Sequence, residues 1–131
     1  MKALLNPPPP GWHCPACGRP YPACGPVALH HDHGSRHGAS RAELAYWSRR
    51  PHGPPRFAPT VLCWRCNAAD GVVKRKLGLP RDFSFAPWEI AALVTPTPRG
   101  HQIDYACARA LVAELAARGI VAPRPLTEEL D

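Results

Sequence analysis

The sequence predicts a small α+β domain that is held together by a zinc ion. Two Cys-x-x-Cys pairs, Cys14/Cys17 and Cys63/Cys66, supply the four thiols that a tetrahedral structural zinc site needs. Short apolar segments lead into the histidine-rich stretch 29–33 and into the second pair, as strands do, and segments with helical spacing follow. With 18 prolines and 10 glycines in 131 residues, the chain has little room for a large apolar core, so a metal staple is expected.

The six cysteines could instead form disulfides, as they do in small secreted domains. However, the N-terminal run 1–5 is interrupted by Asn6 and four prolines, so it does not look like a secretory signal peptide. No apolar run approaches the roughly 20 residues that span a bilayer. We therefore expect a cytoplasmic protein with no membrane partner, whose thiolates bind zinc.

The basic residues outnumber the acidic ones, 16 to 10, which gives a formal net charge of +6. Most of the basic residues are arginines, whose planar guanidinium groups suit phosphate. A polyanionic partner such as nucleic acid is one interpretation. The compositional bias of a GC-rich genome is the other, and charge alone does not separate them.

We divide the chain into a proline-rich arm (1–11), a zinc-bound core (12–80) and a helical C-terminal appendage (81–131). Within the core, the Cys-Pro-x-Cys-Gly sequence at 14–18 is typical of a zinc knuckle. Cys24 and His13 are alternative ligands, although the two pairs already complete four-coordination.

The core contains two predicted strands and two predicted helices. Residues 27–31 and 60–62 are the strands, and the second of them leads into Cys63. A helix is predicted over 39–50, with Ser40 as its N-cap and Glu43 as the capping-box partner. A second helix is predicted from Asn67, its N-cap, to Leu77, with Gly78 after its end.

Two further helices are predicted in the C-terminal part. The first covers 86–94 and has Pro87 at its start. The second covers 101–118, where apolar residues recur at helical spacing up to Gly119. Cys107 is predicted to be a core thiol, and isolated histidines such as His101 are predicted to be surface residues.

The densest group of metal-binding and proton-transferring side chains is Leu29-His30-His31-Asp32-His33. Hydrolysis of a phosphodiester needs an activated water and stabilisation of the charge on the phosphate and the leaving oxygen. Successive side chains of a strand point to opposite faces, so His30 and His31 can do different work.

Two stretches together, Leu29-His30-His31-Asp32-His33 and Leu62-Cys63-Trp64-Arg65-Cys66-Asn67-Ala68-Ala69-Asp70-Gly71, resemble the HNH nucleases of the phage recombination endonuclease VII family. That family carries a Cys-x-x-Cys pair, a Leu-Asp-His-Asp-His element, and Leu-Cys-x-x-Cys-Asn with an acidic residue three positions after the Asn. The likeness covers roughly residues 12–78. It implies a ββα-metal (HNH) core pinned by zinc, with C-terminal helices.

The resemblance also implies roles for single residues. His31 would be the general base, and His30 and Asn67 would be ligands of a catalytic divalent cation. The supporting residues would be Asp32, His33 and Asp70. Because His30 stands where the family has an acid, the ligand set is softer, and Mg²⁺, Mn²⁺, Ni²⁺ and Zn²⁺ are all candidate cofactors.

An alternative register makes Asp32 and His33 the ligand–base pair. Asn67 and Asp70 could also serve simply as a helix cap and its neighbour.

The connection between the histidine-rich stretch and the second pair looks longer than in the family, and the Arg-Gly that commonly precedes that pair is missing. Arg56 is the nearest candidate for the corresponding contact with phosphate. Lys74, Arg75 and Lys76, on the helix that carries Asn67, are predicted to contact the DNA backbone. The alternative is an ordinary solvated helix face.

The predicted function is a metal-dependent DNA endonuclease that nicks DNA or resolves branched DNA. DNA is the expected partner, a homodimer is allowed, and phage packaging or recombination proteins are further candidate partners. If a phage encodes the chain, the expected location is the host cytoplasm. The alternative function is a non-catalytic zinc-ribbon-like module that binds DNA or protein.

Overall fold

The computed structural model describes residues 7–33 and 55–121, together with Arg41. The helix predicted over 39–50, apart from Arg41, lies outside the described residues. So do residues 1–6 of the predicted arm and residues 122–131 at the C-terminus.

The first sheet consists of two short strands that carry the start of the histidine-rich stretch and the start of the second cysteine pair. Strand β1 (Val27–His30) runs antiparallel to β2 (Thr60–Cys63), with Val27 opposite Cys63 and His30 opposite Thr60. Both predicted strands are therefore confirmed. The pairing brings the end of the histidine-rich strand and the start of the second cysteine pair to opposite ends of one small sheet.

Helix α1 (Trp64–Leu77) follows β2 without a connecting loop. Its end at Gly78 is confirmed: this glycine has a left-handed φ of 66° and donates to the carbonyl of Arg75. Its predicted start is wrong. Cys63 is the N-cap, and the backbone N–H of Trp64 is held by the carbonyl of Pro26 over 2.8 Å, so the helix begins three residues before Asn67. Asn67 therefore lies within the helix and does not cap it.

The C-terminal part contains a predicted helix and an unpredicted hairpin. Helix α2 (Pro87–Leu93) is confirmed, with Pro87 as its first residue. The chain then forms β3 (Val94–Thr97) and β4 (Gly100–Ile103), an antiparallel second sheet. Strand β4 takes up the start of the helix that was predicted over 101–118.

Helix α3 (Tyr105–Ala117) therefore begins later than predicted. Asp104 is its N-cap, and the Asp104 carboxylate accepts a hydrogen bond of 2.9 Å from the backbone N–H of Cys107. Helical spacing runs from Ile103 onward, but the pairing of Ile103 with Val94 and the cap at Asp104 decide where the helix starts. Gly119, with a φ of 73°, follows the helix, as predicted.

One buried cluster joins these elements. It includes Leu62 and Cys63 from β2, Val73 from α1, Ile90 from α2 and Leu115 from α3. The described residues thus form a small α+β structure with two short antiparallel sheets and three helices. None of the helices in the described ranges has the length and apolar character needed to cross a membrane.

Candidate functional site

The first cysteine pair lies on a tight turn. The N–H of Gly18 donates to the carbonyl of Cys14 over 2.8 Å, and the N–H of Cys14 donates to the carbonyl of Arg19 over 3.0 Å. A single bridge between His13 and Pro20 closes this hairpin. The turn therefore fixes the backbone on both sides of the two thiols.

The second pair lies at the junction of β2 and α1. Cys63 is the last strand residue and the helix N-cap, and Cys66 lies in the first turn of the helix. The N–H of Cys63 is directed at the Cys14 sulfur, 3.4 Å away. Because the N-terminus of a helix carries partial positive charge, this position favours thiolates.

The four sulfur atoms come together in what we call the thiol cluster, formed by Cys14, Cys17, Cys63 and Cys66. They all lie within 4.8 Å of one another, and the sulfurs of Cys17 and Cys63 are 3.7 Å apart. A tetrahedral zinc site with Zn–S bonds of about 2.3 Å has sulfur–sulfur separations of about 3.8 Å. All six cysteines are free thiols. The predicted four-cysteine set is confirmed as a group that could hold a structural metal ion, and its donors suit zinc.

Hydrogen bonds among the sulfurs share the protons of the thiol cluster unequally. Hydrogen bonds with Cys63 and Cys66 lower the pKa of Cys14. The hydrogen bond between Cys14 and Cys63 raises the pKa of Cys63 to about 12, and the hydrogen bond between Cys14 and Cys66 raises the pKa of Cys66. Binding of a divalent cation to this cluster would therefore release protons.

Cys24 and His13, the alternative ligands, lie outside the thiol cluster. The Cys24 thiol donates to the carbonyl of Gly25 over 3.5 Å, and burial, followed by the charges of Cys14 and Cys17, raises the pKa of Cys24. The Nδ1 atom of His13 lies 2.9 Å from the carbonyl of Gly11. Cys24 is therefore a core thiol.

His101 was predicted to be a surface residue, and this prediction is wrong. Its Nε2 atom lies 3.1 Å from the Cys66 sulfur and 3.8 Å from the Cys63 sulfur. Burial lowers the pKa of His101, and the nearby positive charge of Arg65 lowers it further. The contact of His101 with the two sulfurs depends on the β3–β4 hairpin. The only local signal for that hairpin is the Gly100-His101 sequence after a proline-rich turn.

His30 is a buried residue with only 1% of its surface exposed. Its Nε2 donates to the carbonyl of Phe85 over 2.7 Å, and its Nδ1 accepts from the Asn67 amide nitrogen over 3.1 Å. Its ring stacks on Phe57 with the centroids 5.2 Å apart. The structure thus brings His30 and Asn67 together, and both imidazole nitrogens of His30 are engaged within the protein. Burial lowers the pKa of His30, which favours the neutral form of the ring.

His31 and His33 are half-buried, and their ring centroids lie 4.4 Å apart. The backbone N–H of His33 donates to the Ser84 hydroxyl over 2.9 Å. Asp32, between them, is buried, and its carboxylate accepts from the backbone N–H of Arg56 over 2.8 Å. The two imidazoles therefore form a pair that is more accessible to solvent than the neighbouring His30.

Most of the other predicted site residues contact one irregular stretch, which we call the Phe83–Ala86 segment. It is buried, and its backbone polar groups bond to side chains from other parts of the chain. The carboxylate of Asp70 accepts from the Phe85 N–H over 2.7 Å. Lys74 pairs with Asp70 at 3.1 Å and donates to the Phe83 carbonyl over 2.7 Å.

Arg56, which precedes α1 in the chain, also bonds to the Phe83–Ala86 segment. Its guanidinium donates to the Ser84 carbonyl over 3.0 Å and to both carboxylate oxygens of Glu89 over 2.7 and 3.2 Å. Glu89 also accepts from the Ala86 N–H over 2.7 Å. The Arg56 guanidinium therefore already has partners within the protein. Sequence reasoning overlooked Ser84 and Glu89, and the only local signal was the Phe-Ser-Phe-Ala-Pro run before α2.

Arg75 and Lys76 differ from Lys74, since both are exposed in the last turn of α1. Lys76 lies 5.9 Å above the ring of Tyr105. Of the three basic residues predicted to contact DNA, these two present their charges to solvent.

Comparisons with models of protein families, with curated proteins and with solved structures find no match to this chain.

Proposed function

We propose that this chain is a metal-dependent DNA endonuclease with an HNH-type ββα core. The observation that carries the proposal is the contact of His30, at the end of β1, with Asn67, inside α1. These two positions match the site residues of the phage recombination endonuclease VII family that the sequence resembles. The order of two antiparallel strands and one helix beside a thiol cluster also agrees with that proposal.

In this proposal His31 is the general base. It is half-buried and follows the buried His30, so a water molecule could approach its ring. The imidazole would take a proton from that water as the new oxygen–phosphorus bond forms and the bond to the 3′ oxygen breaks. The products would be a 5′-phosphate and, once the departing oxygen takes a proton from solvent, a 3′-hydroxyl. His33, in ring contact with His31, would help to orient it.

The role predicted for His30 is revised in the proposal. Both of its ring nitrogens already have partners, so His30 does not offer a lone pair to a cation in this arrangement. We assign it an orienting role: it binds the amide nitrogen of Asn67, which leaves the amide oxygen as the atom suited to a divalent cation. When bound, such a cation supplies charge neutralisation at the phosphate and the leaving oxygen.

A second candidate function is a non-catalytic zinc module that binds DNA. A specific observation favours it: the side chains of Asp70, Arg56 and Lys74 bond to the backbone of the Phe83–Ala86 segment, so their polar groups serve the fold. Such a module would keep the thiol cluster and the exposed Arg75 and Lys76 but would not hydrolyse phosphodiesters.

Cleavage of supercoiled plasmid by the full-length chain separates the two functions. The wild type is compared with His31→Ala, His33→Ala and Asn67→Ala in Mg²⁺, Mn²⁺ and Ni²⁺, and the exposed His13→Ala serves as the matched control. General-base catalysis contributes about 10²–10⁴-fold, so we expect His31→Ala to lower the nicking rate by that factor. Zinc content and DNA affinity, measured on the same samples, should not change.

Two outcomes would contradict the nuclease. One is equal cleavage by the wild type, His31→Ala and His33→Ala, since it would mean that a contaminant does the chemistry; loss of cleavage in His33→Ala alone would favour the alternative register. The other is a wild type that binds DNA and cleaves in none of these metals, which would leave the zinc module as the function. Four-way-junction and linear substrates in the same assay distinguish resolution of branched DNA from nicking.

A further inference from the structure

The thiol cluster has a neighbour that no sequence motif includes. His101 contacts it from β4, 35 positions along the chain from Cys66, with Nε2 only 3.1 Å from the Cys66 sulfur. The Nδ1 atom of the same ring is buried and has no hydrogen-bond partner. The sulfurs are thus the only polar partners of this imidazole among the described residues, so its position is not explained by a hydrogen bond on the other side of the ring.

The local sequence permits this close approach. Gly100, directly before His101, has a φ of 141°, which side-chain-bearing residues rarely adopt. A Cβ atom there would lie 2.8 Å from the Arg65 guanidinium, on the first turn of α1. On the other side of the hairpin, His101 is paired with Pro96. The β3–β4 hairpin therefore lies against the N-terminus of α1, beside Cys63 and Cys66.

The charge of the loaded cluster requires such donors. Four thiolates on a divalent zinc ion carry two net negative charges, and N–H groups directed at the sulfurs stabilise that charge in a buried site. Cys14 already has one donor, the backbone N–H of Cys63 at 3.4 Å. For Cys66, the imidazole of His101 is in the corresponding place.

We propose that His101 is a positioning residue of the metal centre, where its Nε2–H donates a hydrogen bond to the Cys66 thiolate and fastens the β3–β4 hairpin to the ion site. This role does not depend on the proposed nuclease activity. It would make the β3–β4 hairpin part of the metal centre, although none of the four ligands lies beyond residue 66.

The test compares zinc-loaded wild type with His101→Phe, which keeps a ring but removes the donor, and with His101→Gln, which keeps an N–H. His13→Phe is the matched control, since His13 adjoins Cys14 but contacts the Gly11 carbonyl. Loss of a residue that supports a metal ligand commonly lowers metal affinity about 10–100-fold. We expect His101→Phe to release zinc to a chelator at least about tenfold faster, His101→Gln to lie between, and His13→Phe to match the wild type.

Absorption spectra of the cobalt-substituted proteins test whether His101 acts as a hydrogen-bond donor or as a metal ligand. If His101 is a donor, the sulfur-to-cobalt absorption of His101→Phe moves to lower energy and keeps its intensity, because the same four thiolates bind. A gain of intensity in His101→Phe would overturn the proposal, since it would mean that His101 had replaced a thiolate as ligand. Unchanged zinc release together with an unchanged spectrum would overturn it as well.

A measurement on the wild type keeps the proposal testable if the variants do not fold. In protein loaded with ¹¹³Cd and labelled with ¹⁵N-histidine, we expect a protected His101 Nε2–H resonance with a scalar coupling to cadmium through the sulfur. Lack of that protected proton would contradict the hydrogen bond.

Discussion

The carboxylate of Asp70 and the backbone N–H of Phe85 form a 2.7 Å hydrogen bond in the interior of the protein. Asp70 is predicted to support a catalytic metal, a role that stays a prediction, and in the structure its carboxylate bonds to the Phe83–Ala86 segment. Its second oxygen faces Lys74 at 3.1 Å. The pair therefore links α1 to the segment before α2.

Replacement of Asp70 by Ala should be strongly destabilising. It leaves a buried N–H and the mostly buried Lys74 ammonium without their acceptor, and breaking one partner of a buried pair costs about 3–5 kcal/mol. Asp70→Asn keeps an acceptor for the Phe85 N–H, so its cost should be smaller. Urea unfolding measures both. A free energy of unfolding for Asp70→Ala within about 0.5 kcal/mol of the wild type would show that the bond is unimportant.

Arg56 and the pair Arg75/Lys76 should behave in opposite ways, although all three were predicted to contact DNA. Arg56→Ala should destabilise the fold, and a double-mutant cycle with Glu89→Ala should give a coupling energy of about 0.5–3 kcal/mol, towards the lower end because Arg56 is partly exposed. Its effect on the salt dependence of DNA binding should be small.

Arg75→Ala with Lys76→Ala should instead leave the free energy of unfolding within about 0.5 kcal/mol of the wild type. If both residues contact phosphates, the slope of log K against log salt should decrease by about 1 for each. Fluorescence anisotropy over a salt series measures this. A change in salt slope for Arg56→Ala but not for the double variant would reverse the assignment.

Removal of the metal should unfold the described core. Structural zinc in small peptides contributes apparent binding free energies of about 10–16 kcal/mol at pH 7, so Cys63→Ser should cost at least about 3 kcal/mol and a strong chelator should act in the same way. Cys107→Ser is the control, since Cys107 lies outside the thiol cluster and its thiol donates to the Ala92 carbonyl. Equal melting temperatures for wild type and Cys63→Ser would contradict a structural ion.

His30 should make the fold sensitive to acid. Its pKa is lowered from 6.5 first by burial and then by the charges of His33 and Lys74, while Asp70 opposes the shift. The unfolded chain therefore binds a proton more readily than the folded one. The stabilisation is fully present above pH 6.5 and is lost as the pH falls from 6.5 towards the lowered folded value.

The slope of the unfolding free energy with pH, measured between 7 and 5 on wild type and His30→Gln, checks this. The wild type should show the steeper loss, and histidine NMR should report a His30 pKa below 6.5. Parallel slopes would mean that His30 is not protected in the folded state. Metal content must be followed at each pH, because thiolate ligands also take up protons.

The elements that the sequence predicted well depend on local signals. Spacing alone identified the thiol cluster, because two thiols on one turn and two on another can close a tetrahedron wherever the intervening chain goes. Gly78 and Pro87 mark helix ends through backbone conformation, which neighbouring residues set. The strands predicted over 27–31 and 60–62, which the structure has at Val27–His30 and Thr60–Cys63, are short apolar runs before the histidine-rich stretch and the second cysteine pair.

The elements that it missed depend on long-range contacts. The β3–β4 hairpin contains Pro96 and is stabilised by pairing and by contact with α1, so helical spacing after Ile103 was extended too far. The local sequence predicts Asn67 as a helix cap. The helix starts earlier because the carbonyl of Pro26, from a distant part of the sequence, accepts from the N–H of Trp64. The hydrogen bond of His30 to the carbonyl of Phe85, a backbone group 55 positions along the chain, is a contact that no side-chain pattern reveals.

The Phe83–Ala86 segment has no strand or helix to protect it, yet its backbone should exchange its amide hydrogens slowly. The partners of the Phe85 and Ala86 N–H groups, Asp70 and Glu89, project from two different helices. The Phe85 amide can exchange only when the contact with α1 opens, and the Ala86 amide only when the capping contact at the start of α2 opens. An apparently irregular loop should thus share the protection of the hydrophobic core.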